Sequence, residues 1–178
     1  MKLFFGLVLI FLLPLKWVPT KIKEGIIVPI PSEMRAMTDA EAAQHSPSIR
    51  TPLGAFTTND QLVDFVVSVS ATQWPDLDLN IAKQFFRVGV TNLYDKVTFI
   101  RDDIVSIHKK NFIRFEFESR INGDKTVSGR TDATMKYHYI LYFLQPKRAI
   151  VFSFQCPRYF KDDWQHLADK MMNEIKMK

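Results

Sequence analysis

Cysteine occurs once in this 178-residue chain, glycine only six times, and no apolar run is long enough to cross a bilayer as a helix. Each scarcity excludes something. A lone Cys156 cannot form an intramolecular disulfide or belong to a multi-cysteine zinc site. The glycines form neither a GxGxxG nor a GxxxxGK run, so neither of those phosphate-cradling loops is present. A basic stripe is missing too. Lys and Arg total 24 against 19 Asp and Glu, for a net charge of +5, and the clusters Lys109-Lys110 and Lys147-Arg148 fall where turns are expected. A nucleic-acid binder needs a basic face with interleaved aromatics, so no nucleic-acid partner is expected.

Side chains that carry chemistry are equally sparse. His45, His108, His138 and His166 show no metal-pair spacing, and no acidic partner recurs beside them. Asp102-Asp103 and Asp162-Asp163 are adjacent pairs, whereas acid–base work needs carboxylates that converge across a site. Asp162 reads instead as a helix cap. A nucleophilic cysteine needs a base and an electropositive setting, but Cys156 is in phase with Phe152 and Phe154 and reads as core. Ser128-Gly129-Arg130-Thr131 reads as a polar turn. No catalytic, cofactor-binding or metal-binding residue is expected.

What the chain does have is apolar and aromatic pattern, with 47% hydrophobic residues and 15 Phe. Leu3–Leu15, preceded by Lys2, is an apolar run of 13 residues. That is short of the roughly 20 that span a bilayer and fits the apolar core of a signal peptide. Lys16–Thr20 offers no small-x-small cleavage site. Residues 1–20 are therefore expected to be a signal peptide or an N-terminal membrane anchor, with membrane association possible through this segment. Residues 23–178 form a single domain.

Gly25–Ile30 reads as a first strand, at an edge or ending because of Pro29. Thr38 and Glu41 have capping-box spacing, which predicts a short helix over Asp39–His45, stopped by Pro47. Leu53–Thr57 and Leu62–Ser70 read as a hairpin, with Val63, Phe65, Val67 and Val69 in alternation. Asp78 is the expected cap of a helix over Leu79–Tyr94, where Ala82, Phe85, Phe86, Gly89 and Leu93 recur at helical spacing. Gly89 costs about 1 kcal/mol in a helix interior, which predicts a close packing contact or a helix end. Lys96–Arg101 and Ile104–His108 are expected to be two strands separated by Asp102-Asp103. Over Phe112–Ile121, Ile113, Phe115 and Phe117 point to a core while Arg114, Glu116, Glu118 and Arg120 point to solvent or a partner. Asn122-Gly123 is a hairpin signal and predicts a polar return strand over 126–131. Met135–Leu144 and Ala149–Cys156 flank the Gln145–Arg148 turn. In the last helix, Asp162–Lys178, Trp164, Leu167, Ala168, Met171, Met172 and Ile175 form one apolar stripe.

This order predicts an α+β fold, an antiparallel β-sheet flanked by helices with the C-terminal amphipathic helix packed on it. In detail the chain resembles the bacterial DcrB-like envelope proteins. These belong to the superfamily of the PsbP subunit of photosystem II and a yeast Ran-binding import factor. The residues that carry the resemblance are Val28–Met34 with Met37-Thr38-Asp39, Phe56–Asp60, Phe112–Ser119, Phe152–Pro157 with Trp164, and Met172–Lys176. It covers about 23–176 and implies a PsbP-like α/β/α sandwich and a non-enzymatic accessory role exercised by docking onto partner proteins. The lipoprotein-anchoring cysteine of DcrB-type proteins is absent.

The expectation is an exported accessory or binding protein of the bacterial cell envelope, periplasmic or membrane-associated, with an extracellular location as the alternative. Its partner is an unidentified protein. Trp74, Arg114, Glu116, Glu118 and Arg120 are the candidate binding surface. Alternatives are a small-molecule or lipid carrier, which needs an apolar pocket between sheet and helix, and a hydrolase built on Cys156 or a histidine. If the terminal stripe lies on the sheet, Trp164→Ala removes an anchor whose loss costs about 3–5 kcal/mol. Its melting temperature should fall steeply, and an unchanged one refutes the docking.

Overall fold

The structure is a computed structural model and describes residues 16–45, 51–70, 72, 78–122 and 133–177. The Asp39–His45 helix (α1) begins as the capping box requires. Thr38 N–H donates to Glu41 Oε2 at 2.8 Å, and Glu41 N–H donates to Thr38 Oγ1 at 3.3 Å. Ahead of it, β1 (Trp17–Lys21) pairs antiparallel with β2 (Ile27–Pro31) around a positive-φ Glu24-Gly25 turn. The first strand is thus β1, not the Gly25–Ile30 run. Its residues Trp17–Thr20 lie inside the segment assigned to export, so the folded domain begins by Trp17.

The remaining strands are β3 (Met34–Ala36), β4 (Gly54–Thr58), β5 (Asp64–Val69), β6 (Lys96–Ile107), β7 (Lys110–Ile121), β8 (Thr134–Gln145) and β9 (Arg148–Pro157). They form one seven-stranded sheet in the order β3-β4-β5-β9-β8-β7-β6, antiparallel throughout. β8 and β9 turn back through Pro146-Lys147, where Pro supplies the negative φ and Lys147 sits at φ 63°.

Two departures from the predicted strands have local causes. Lys96–Ile107 is one strand, because a register shift between Phe99 and Arg101 absorbs an extra residue, as a β-bulge does. Asp102-Asp103 therefore lies within the strand and is not a turn. Its hairpin partner is reached through His108-Lys109, both at positive φ (47° and 65°), the requirement of a type I′ turn. Asn122-Gly123, the stronger hairpin signal, does not close a two-residue turn. β7 pairs with β8 from Ile121↔Thr134, so residues 122–133 separate them. The return strand expected over 126–131, like Pro47, lies outside the described residues.

Both faces of the sheet are covered. On one, Tyr137, Tyr139, Leu141, Ile150, Phe152, Phe154 and Cys156 pack with Val28 and Ile30 of β2 and with Ala168, Met171 and Met172 of α3 (Lys161–Asn173). Beyond α3, Ile175 is also core, and Lys176 exchanges two backbone hydrogen bonds with Ile27 (2.8 and 2.9 Å). The predicted helix thus stops early and the chain ends as an added bridge. Asp162 sits in the first turn of α3, whose cap position is Phe160. It acts on the helix dipole rather than as a cap.

On the other face lies α2 (Leu79–Asn92), capped by Asp78 Oδ1, which accepts from Asn80 N–H at 2.8 Å and Ile81 N–H at 3.1 Å. Ala82, Phe86 and Val90 point inward onto Ile113, Phe115 and Phe117. Phe85 and Leu93, expected on that inner stripe, are 48% and 70% exposed. The helix is rotated because Val90, not Gly89, continues the row from Ala82 and Phe86. A Cβ at Gly89 would meet nothing within 4 Å, so the predicted close contact is absent. Gly89→Ala should therefore stabilise the domain by up to about 1 kcal/mol. The check is a denaturant titration, in which a loss of stability would reveal a constraint at Gly89 unrelated to packing.

Candidate interaction surface

Arg114, Glu116, Glu118 and Arg120 alternate with the core residues of β7 and share its other face, as predicted, but that face is roofed by α3. Glu116 is fully buried. Its carboxylate accepts from Tyr137 Oη at 2.9 Å, from Gln165 Nε2 at 2.5 Å and from Arg101 Nε. Arg101 reaches past it to Asp169 of α3 at 2.7 Å. Arg114 donates twice to Asp103 across the hairpin, at 2.8 and 2.6 Å. Glu118 accepts from Arg158 at 2.6 Å and from Lys161 at 2.7 Å.

The electrostatics follow the geometry. Arg114 beside Asp103 holds that carboxyl below the usual range, and Lys161 with Arg158 does the same for Glu118. Burial pushes the Tyr137 hydroxyl far up and that of Tyr139 up to about 12. Arg101, Glu116, Glu118 and Tyr139 fasten α3 to the sheet, while Arg114 and Asp103 tie β7 to β6. Solvated contact with a partner is therefore corrected for Glu116, and Arg114 and Glu118 are occupied by intramolecular pairs. Arg120 alone of the four is exposed. Trp74 lies outside the described residues.

Two polar clusters were not foreseen. His45 Nδ1 donates to Asp64 Oδ2 at 3.0 Å, and Asp64 also accepts from Thr57 Oγ1 (2.8 Å) and Gln155 Nε2 (3.2 Å). This buried carboxylate ties α1 to β4, β5 and β9. On the α2 face, His138 is 2% exposed, stacked on Phe117 with ring centroids 4.7 Å apart, and its Nε2 lies 2.8 Å from Ser119 Oγ. No spacing in the sequence announces either, because their members come from strands paired only by the fold. Cys156 is 1% exposed, and burial pushes its thiol up to about 12. Among the described residues, no group of three or more His, Cys, Asp or Glu is placed to hold a metal ion.

α2 also carries an outer apolar row. Ile81, Phe85 and Val88, at i, i+4 and i+7, are 56%, 48% and 58% exposed. The flank of α2 that faces the edge strand β6 is a different one, carrying Lys83 and Arg87, which reach Asp102 at 2.9 and 2.6 Å. The pattern Ile81-x₃-Phe85-x₂-Val88 is visible in the sequence, but which of two apolar rows faces the sheet is not.

No protein-family model matches the chain, and no curated protein matches it. Solved structures do. Their likeness defines the class: an α+β fold shared by PsbP and Mog1p. Cyanobacterial PsbP (CyanoP) from Synechocystis sp. PCC 6803 matches with a TM-score of 0.60 and 12% identity, over 92% of each chain. The Ran-binding protein Mog1p of Saccharomyces cerevisiae gives 0.56 and 12%, over 92% of this chain and 96% of its own. LpqN of Mycobacterium tuberculosis, involved in cell envelope biogenesis, gives 0.56 and 10%, over 92% and 91%. At these identities the likeness establishes the fold.

Burial holds the His138 imidazole neutral, with its pKa pushed down to about 3. An unfolded histidine takes up a proton near 6.5. Between those values the unfolded chain binds more protons, so stability is lost as the pH is lowered, by up to about 1.4 kcal/mol per pH unit. His138→Phe, which keeps the ring stack, should flatten the decline of unfolding free energy below about pH 6.5. Parallel denaturant titrations of parent and variant measure it, and an identical slope would place the coupling elsewhere.

Proposed function

We propose that this protein is a non-enzymatic accessory module of the bacterial cell envelope, exported and held near the membrane, that works by docking onto another protein. The observation that carries the reading is the outer row of α2. A helix apolar on both sides is ordinarily covered on both, and a row of large exposed apolar side chains is what a protein partner buries. The fold is compatible with an accessory role: LpqN is involved in cell envelope biogenesis and Mog1p is a Ran-binding protein. Burial of Cys156, with its thiol pushed up to about 12, speaks against a thiolate nucleophile.

Export is supported by the apolar run ending at Leu15. Because Trp17–Lys21 is already strand β1, with Lys170 Nζ 4.5 Å from the centre of the Trp17 ring, a cut after residue 20 would remove an element of the fold. The export segment therefore acts as an uncleaved tether or is removed before Trp17.

A photocrosslinking amino acid placed at Val88 in the full chain tests both halves of the reading. In intact bacteria it should yield a discrete adduct that fractionates with the envelope, whereas one placed at Lys109 should not. An adduct confined to the cytosol, equal yields at the two positions, or none at Val88 would overturn it.

A further inference from the structure

We propose that the cleft at the Lys96–Arg120 end of the sheet is an oxyanion site that takes a phosphoryl group. The cleft, of about 250 Å³, is lined by Lys96 and Thr98 of β6, Glu118 and Arg120 of β7, Met135 of β8 and Arg158. The strand register sets Lys96 directly opposite Arg120 and Thr98 opposite Glu118. With Met135 opposite Arg120 on the other side, these side chains share the α3 face of the sheet.

Like charges directly opposite one another destabilise a sheet, and this pair has no compensating carboxylate among the described residues. Every other described arginine is matched: Arg35 with Glu41, Arg87 with Asp102, Arg101 with Glu116 and Asp169, Arg114 with Asp103, Arg148 with Glu24, Arg158 with Glu118. Among the described residues, Arg120 is the one arginine without a carboxylate within 4.0 Å, and Lys96 has none either. Glu118, the acidic group of the cleft, is already held by Arg158 and Lys161 at 2.6 and 2.7 Å. Among the described residues, the cleft thus presents two uncompensated positive charges and the Thr98 hydroxyl.

That combination selects its ligand. A guanidinium offers two parallel N–H groups to a pair of oxygens, and an ammonium adds a point charge. A phosphoryl dianion neutralises both cations and has an oxygen left for Thr98, whereas a single carboxylate leaves one cation uncompensated. The group can come from two sources, a soluble phosphate or the phosphomonoester headgroup of a lipid. The site lies on the α3 face, so it stands or falls independently of the partner surface on α2.

Calorimetric titration of the full chain with inorganic phosphate, at ionic strength held constant with sodium chloride, is the first arm. The second compares cosedimentation with phosphatidylcholine vesicles that do or do not contain phosphatidic acid. Saturable phosphate binding, weakened about tenfold or more in Arg120→Gln and in Lys96→Gln, supports the site with a soluble source. A preference for phosphatidic acid that both variants lose, without binding of free phosphate, supports the headgroup source. Both variants should melt no lower than the parent, because each relieves the opposed pair. Phosphate binding unchanged in both variants, the same heat from sodium chloride alone, or no binding in either arm overturns the proposal.

Discussion

The carboxylate of Glu116 is the constraint on which one whole side of this molecule depends. A fully buried carboxylate is tolerable only if its oxygens are matched by hydrogen bonds or a counter-charge. Here the matches come from three directions: Arg101 on the neighbouring strand on one side, Tyr137 on the neighbouring strand on the other, and Gln165 on the helix above. The geometry is satisfied only when β6, β7, β8 and α3 are all in place. Apolar packing of Met171 and Met172 holds α3 against the sheet, but burial is tolerant of sliding. A buried polar network is not, since each displaced partner leaves an unpaired group in a dry interior.

The two faces of the sheet are closed by different physics. The α3 face is sealed by side chains that grip, with Arg101–Asp169 and the Glu118 pairs to Arg158 and Lys161 at its margin. The α2 face is closed by stacking and apolar contact: Phe86 on Tyr142 at 4.2 Å, and Tyr94 and Phe117 around His138. Its polar ties are few. Lys83 and Arg87 reach Asp102 at 2.9 and 2.6 Å, on the edge strand. A helix held mainly by apolar contact, with a second apolar row turned outward, is the more easily shared with a partner.

Local rules carried the sequence reading a long way. The capping box at Thr38–Glu41, the Asp78 cap and the β8–β9 hairpin with its Pro146-Lys147 turn are all settled within a few residues, and all stand in the structure. The misreadings arise where the deciding partner is distant. Arg114, Glu116 and Glu118 alternate with Phe115 and Phe117 in the pattern of a half-solvated strand, and nothing within β7 says that Gln165 and Lys161 will close over them. Asp102-Asp103 resembles a turn until Lys83, Arg87 and Arg114 supply its counter-charges. His108-Lys109 forms the tight turn although neither residue favours positive φ, because the register of a long hairpin, once set by twelve-residue arms, imposes it.

Arg120 is informative for the same reason. On β7 it follows Arg114, Glu116 and Glu118 at the same period, and a reading confined to the strand gives all four equal standing as surface. The fold separates them by supplying partners to three. Asp103 takes Arg114; Arg101, Tyr137 and Gln165 take Glu116; Arg158 and Lys161 take Glu118. Among the described residues, the charge set opposite Arg120 is Lys96, of its own sign. In a domain whose other described arginines each find a carboxylate, an opposed and unmatched pair of cations is a local conflict of the kind that folding alone would remove. Among the described residues nothing offsets it, which favours a stabilising contact from a bound anion. Charge, hydroxyl and concavity at that end of the sheet point to an anion as that contact.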